Sequence, residues 1–190
     1  MKITSKHDIE RERCKIAQAA GSAIAALSQL ITSDLPLSAI YSMKFLEIGA
    51  HPLDQYPLNL IEQLNQTFTI LASLAGSEIL LAGNQSLSFD LNPGARAGPD
   101  IISTDKTIVA EVFAAVDPTN NNKLEKDIAR LEKVEAEKKH LFYYTPSNRD
   151  VARITALHPT IEYRRLLKEE IMVPTIAFTG SEARSGPRVR

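Results

Sequence analysis

The segment from Gly98 to Arg130, GPDIISTDKTIVAEVFAAVDPTNNNKLEKDIAR, constrains the fold more than any other part of the chain. Ile101 to Ser103 and Thr107 to Ala115 are rich in β-branched residues, and Thr104-Asp105-Lys106 is the polar break between them. This pattern predicts a β-hairpin. The charged, helix-periodic run after Asp117-Pro118 predicts a helix over about 122–138. A turn centred on Asp105-Lys106 pairs Ser103 with Ile108, Ile101 with Ala110 and Asp100 with Glu111. Residues opposed in this way share one face of the sheet, with Cβ atoms about 4.5–5.5 Å apart.

Two carboxylates opposed on adjacent strands repel, so the hairpin would be more stable without one of them. Asp100 reads as a solvated strand-start residue if nothing binds there. Glu111, however, lies inside the apolar run Ile108–Val116, where an acidic group needs a partner. A divalent cation turns the repulsion into an attraction, because Mg²⁺ takes one or two carboxylates and completes its shell with water and phosphate oxygens.

Pro99-Asp100, a short spacer and an acidic residue on the next strand resemble the PD-(D/E)XK nuclease superfamily, the restriction-endonuclease-like fold. The resemblance covers roughly residues 57–165. It implies that Asp100 and Glu111 bind Mg²⁺ (or Mn²⁺), with the Val112 backbone carbonyl as a further ligand. The family's Lys, two residues after the Glu, does not carry over, because Phe113 stands there. Some families of this fold move that lysine to the following helix, which makes Lys123 the first substitute and Lys126 the second. Others supply an extra acidic residue from the helix before the sheet, a role for which Glu62 is the candidate. On its own helix face, Glu62 also reads as an ordinary solvated residue.

The rest of the chain frames this hairpin. Residues 8–32 predict a helix in which Ile16, Ala20, Ile24, Leu27 and Ile31 recur on one face, around an Ala-rich centre suited to close helix packing. Residues 33–56 predict an irregular connection, and 57–75 a second apolar helix ended by Gly76. Alternation of Leu87, Phe89 and Leu91 with polar residues predicts a strand, and HLFYYT at 140–145 a buried one. A short helix after Pro146, a strand at 161–163 and an edge strand within 171–179 complete the set. The expected architecture is α/β: an αβββαβ core of the restriction-endonuclease-like kind, a mixed sheet flanked by helices, with extra N-terminal helices. Residues 1–56 form the helical addition, 57–179 the core and 180–190 a basic tail.

The net charge of −1 excludes a global field that attracts nucleic acid, so DNA binding would need a local patch. Arg96, Arg149 and Arg153 are the candidates; Arg96 fits a phosphate contact and a plain loop surface equally well. One cysteine excludes an internal disulfide framework. The four histidines are scattered, without metal-site spacing. Neither a membrane-spanning run nor a signal-peptide core stands out, which points to the cytoplasm. The function these features imply is metal-dependent cleavage of DNA, as an endonuclease. An inactive relative that binds DNA or protein is the alternative. A homodimer through the N-terminal helix is compatible with either.

Overall fold

The computed structural model describes residues 1–33, 35–92, 98–148 and 151–172. Its strands are β1 (Lys2–Ile3), β2 (Gly49–Ala50), β3 (Pro57–Leu58), β4 (Phe89–Leu91), β5 (Ile101–Ser103), β6 (Ile108–Ala114), β7 (Lys138–Tyr144) and β8 (Ile161–Arg165). The helices are α1 (Lys6–Ser33), α2 (Pro36–Phe45), α3 (Leu60–Gly83), α4 (Lys123–Lys133), α5 (Ala152–Thr155) and α6 (Lys168–Ile171). At the centre lies a mixed sheet of six strands in the order β1-β4-β5-β6-β7-β8, and a separate two-residue ladder joins β2 to β3.

The predicted hairpin forms in the predicted register, with Ile101 opposite Ala110 and Ile102 opposite Val109. Its turn is closed by Asp105, whose carboxylate accepts from the Ser103 hydroxyl at 2.6 Å and from the Thr107 amide at 3.0 Å. Lys106 takes the left-handed conformation, φ 62°, that the tight turn requires. β6 then runs antiparallel to β5 and parallel to β7, with α4 as the crossover. Because β6 is covered on both faces, its side chains sort by parity. Ile108, Ala110 and Val112 join the core beneath α3, while Val109 and Phe113 join the one beneath α4. Glu111 belongs by parity to the α4 side.

Several boundaries differ from the sequence expectation. Residues 2–3 add an edge strand beside β4, which so short an N-terminal segment did not signal. Residues 36–45, expected to be irregular, form α2. α3 continues through Gly76 to Gly83, because that glycine serves helix–sheet contact rather than helix termination. A Cβ at Gly76 would lie 2.9 Å from Phe142 Cδ2 and 3.4 Å from Ile101 Cδ1. Gly76→Ala is therefore expected to lower stability by about 1–2 kcal/mol in urea unfolding, overpacking outweighing the helix-propensity gain. A stabilised variant would show that the helix can move off the sheet freely.

α3 is, among the described residues, the one helix long and apolar enough to cross a membrane, and here it packs against the sheet as the main core helix. Residues 168–171 are helical, and the edge strand expected within 171–179 lies mostly outside the described residues, as does the tail 180–190.

Candidate active site

β5 and β6 bring Asp100 and Glu111 together at one end of the sheet, and both are buried, at 8 % and 1 % exposure. Asp100 Oδ2 accepts the Val112 amide at 2.8 Å, which fixes that carboxylate across the hairpin. The two carboxyl groups are within hydrogen-bonding reach of each other. Burial, then the Asp100 charge, push the Glu111 carboxyl up to about 8, against the pull of Arg130. Burial also raises Asp100, opposed by its Val112 hydrogen bond. At neutral pH Glu111 therefore keeps its proton.

α4 supplies the countercharge. Arg130 Nη2 lies 2.8 Å from Glu111 Oε2 and also donates to Asp127 Oδ1. Lys123 Nζ reaches the same Asp127 oxygen at 2.9 Å. Asp127 is fully buried. It clamps both cations on the cleft side of the helix, and its Oδ2 accepts no hydrogen bond. Burial works against the Arg130 charge, but Asp127, Glu111 and Asp100 outweigh it and hold that guanidinium above its ordinary range. The chain reaches α4 through Asn121 and Asn122, both left-handed at φ 54° and 52°. Asn122 stands at the N-cap of α4 but makes no side-chain cap hydrogen bond, its left-handed backbone being used for this reversal.

Asp100, Lys123, Lys126 and Arg130 line a cleft of about 530 Å³ together with Asn65, Gln66 and Thr69 of α3, while Glu111 and Asp127 are not among its lining residues. Lys126 has no ion-pair partner among the described residues, unlike Lys123, and is the more available of the two for a ligand. Glu62 is exposed and is not among the lining residues; its amide is engaged by the Asn59 cap at 2.9 Å. Phe113 borders the same cleft and stacks on Tyr143, ring centroids 5.7 Å apart. The aromatic residue at the position of the family's lysine is thus part of the α4-side core. Arg153 is exposed on α5 away from the lining residues, and Arg96 and Arg149 lie outside the described residues.

The donor set suits a divalent cation with few protein ligands. Asp100 and Glu111 offer hard oxygens, and Glu111 Oε2 is buried without a hydrogen bond, its contact with Arg130 being an ion pair only. No three of His, Cys, Asp and Glu converge as a metal-binding group among the described residues, so water and phosphate would complete the shell. Arg130 now compensates Glu111 and would have to turn toward Asp127 or solvent. Its side chain is 48 % exposed, which leaves room for that turn.

Asp127 and Arg130 were not singled out from the sequence. The signal for Asp127 was present: it shares helical spacing with Leu124, Ile128 and Leu131, so an acid stands on the apolar face of α4. A scan against protein-family profiles gave no match, and searches of curated proteins and of solved structures also matched nothing.

Proposed function

We propose that this chain is a metal-dependent DNA phosphodiesterase, an endonuclease built on a restriction-endonuclease-like core. The observation that carries the reading is the buried Asp100–Glu111 pair, of which Asp100 lines a cleft together with Lys123, Lys126 and Arg130, the last of these paired with Glu111. A buried carboxyl pair in which Asp100 raises the proton affinity of Glu111 is strained in the absence of a ligand and matches the needs of a hard cation. Asp100 and Glu111 would hold Mg²⁺ or Mn²⁺, with the Val112 carbonyl available as a third ligand. When bound, the cation lowers the pKa of the attacking water and stabilises charge on the phosphate. Lys126 and Lys123 would contact the phosphate oxygens as charge builds on them, and Arg130, once released from Glu111, would join them. Phe113 cannot move a proton; its part is to keep water from the floor of the cleft.

A second reading is a non-catalytic relative that binds DNA or protein. It is favoured by Phe113 in the core and by Arg130 neutralising Glu111. Nicking of supercoiled plasmid in Mg²⁺ or Mn²⁺ separates the two. Wild type is expected to nick, while Asp100→Ala, Glu111→Ala and EDTA each reduce the rate by roughly 100-fold or more. Plasmid that stays intact with wild type, yet is retarded by it in a gel, would select the second reading.

A further inference from the structure

α2 is built inside out. A helix on a protein surface turns its large apolar residues inward. α2 instead buries Ala39 and Ser42 and exposes Leu37, Ile40 and Phe45 at 81 %, 61 % and 61 %. Helical spacing sets Leu37, Ile40, Tyr41 and the following turn in a ridge. Tyr41 and Phe45 already pack on each other, ring centroids 5.0 Å apart, so the ridge is pre-ordered. Beside it runs an apolar groove of about 540 Å³ between α1 and α3, lined by Ile24, Leu27, Leu60, Leu64 and Phe68 among others. Met43 of α2 also lines the groove, so ridge and groove are one continuous surface. α1 carries no charged residue from Ile16 to Ser33. Its expected apolar face is buried at Ile16 but 65 % and 64 % exposed at Ile24 and Ile31.

We infer that this face is a homodimer interface in which the α2 ridge of each copy fills the α1–α3 groove of the other. Three arguments select a second copy as the occupant. A ridge and a groove side by side on one surface are self-complementary under a two-fold axis, which lets residue i meet j while j meets i. Ile24, Ile31, Leu37, Ile40, Tyr41 and Phe45 are each 58 % or more exposed, a load of large apolar side chains suited to a stable complex, which buries roughly 800 Å² per partner, rather than to a monomer, which ordinarily exposes only a few hundred Å². A surface nearly free of charge repels no copy of itself and provides nothing by which a partner of opposite charge would be chosen. The apolar run that follows Met172 is the other occupant within reach. Its large side chains, Val173, Ile176 and Phe178, are too few to cover both ridge and groove. This inference is independent of the nuclease reading.

The test is the molar mass of the full chain by light scattering or sedimentation over a wide concentration range. Wild type is expected at twice 20.9 kDa. The Leu37→Asp/Ile40→Asp double variant and, separately, Ile24→Asp are expected at the single mass, with self-association at least 100-fold weaker than wild type and unchanged far-ultraviolet circular dichroism. These positions are solvent-exposed within one chain, so folding tolerates them. Wild type that stays at the single mass at every concentration overturns the inference, as does a dimer that survives both variants. The chain has no tryptophan, so Phe178→Trp provides a clean reporter. A Phe178→Trp protein that is monomeric and has blue-shifted indole emission would assign the groove to the C-terminal run instead and overturn the dimer.

Discussion

Glu111→Gln is expected to abolish metal-dependent cleavage and, in the same protein, to raise the melting temperature at pH 8. The loss of cleavage, at least 100-fold, follows from replacing an anionic ligand by a neutral amide. The gain in stability follows from the pair geometry. A glutamine amide keeps the shape of the side chain and donates to Asp100 as the protonated Glu111 does. Unlike glutamic acid, it has no proton to lose as the pH rises.

The sign of the pH effect is fixed by the direction of the shift. In the unfolded chain the Glu111 carboxyl ionises near 4.5, whereas in the folded protein burial and Asp100 push it up to about 8. The folded state therefore binds the extra proton between these values, and wild-type stability falls as pH rises from about 4.5 to about 8. Asp100 is shifted in the same direction and adds to the slope. The Glu111 part amounts to a few kcal/mol, and Gln removes it. A chain of this length gains roughly 2–4 °C per kcal/mol, so the variant should melt about 5 °C or more above wild type at pH 8 and draw level near pH 4.5. Melting curves that run parallel across this range would mean that the two carboxyl groups do not share a proton.

The contrast between expected geometry and unexpected chemistry explains what the sequence made legible. The hairpin register followed from one polar break and from period two, so the opposition of Asp100 and Glu111 could be read before the fold. The sequence marked β7 as a buried strand, and the helix between it and β6 is what makes their pairing parallel. Helical spacing puts Asp127 on the apolar face of α4, but local pattern does not reveal which basic residues it holds at the cleft. Lys123, Lys126 and Arg130 all lie within reach of one side of that helix, and the choice is made by Asp127, an acid buried by tertiary contact. Glu62 lies outside the lining of the cleft for the opposite reason. Its polar stripe does face the cleft, but at Gln66 and Thr69, one and two turns further along α3. The inverted burial of α2 was hidden for a third reason: apolar residues predict burial without saying whether the same chain supplies the cover.

Arg130→Met tests whether Arg130 stands in for a metal. The substitution leaves Asp127 with Lys123 alone and Glu111 with no cation, and an offset of about 1–3 kcal/mol is expected. The pH dependence carries more information. Arg130 pulls the Glu111 carboxyl down, so without it the folded-state proton is held above pH 8. From pH 4.5 to 8 both proteins keep the proton when folded and lose it when unfolded, and their stability curves run parallel. Above pH 8 wild type levels off as Glu111 ionises beside the guanidinium, while the variant continues to fall. At a pH high enough for Glu111 to have lost its proton in both proteins, Mg²⁺ should then raise the melting temperature of the variant more than that of wild type, because in wild type the cation must also displace Arg130 from Glu111 Oε2. Equal shifts in the two proteins would place any Mg²⁺ binding away from Glu111 and remove the main support for the metal site. No divergence above pH 8 would mean that the 2.8 Å contact between Arg130 and Glu111 contributes little in solution.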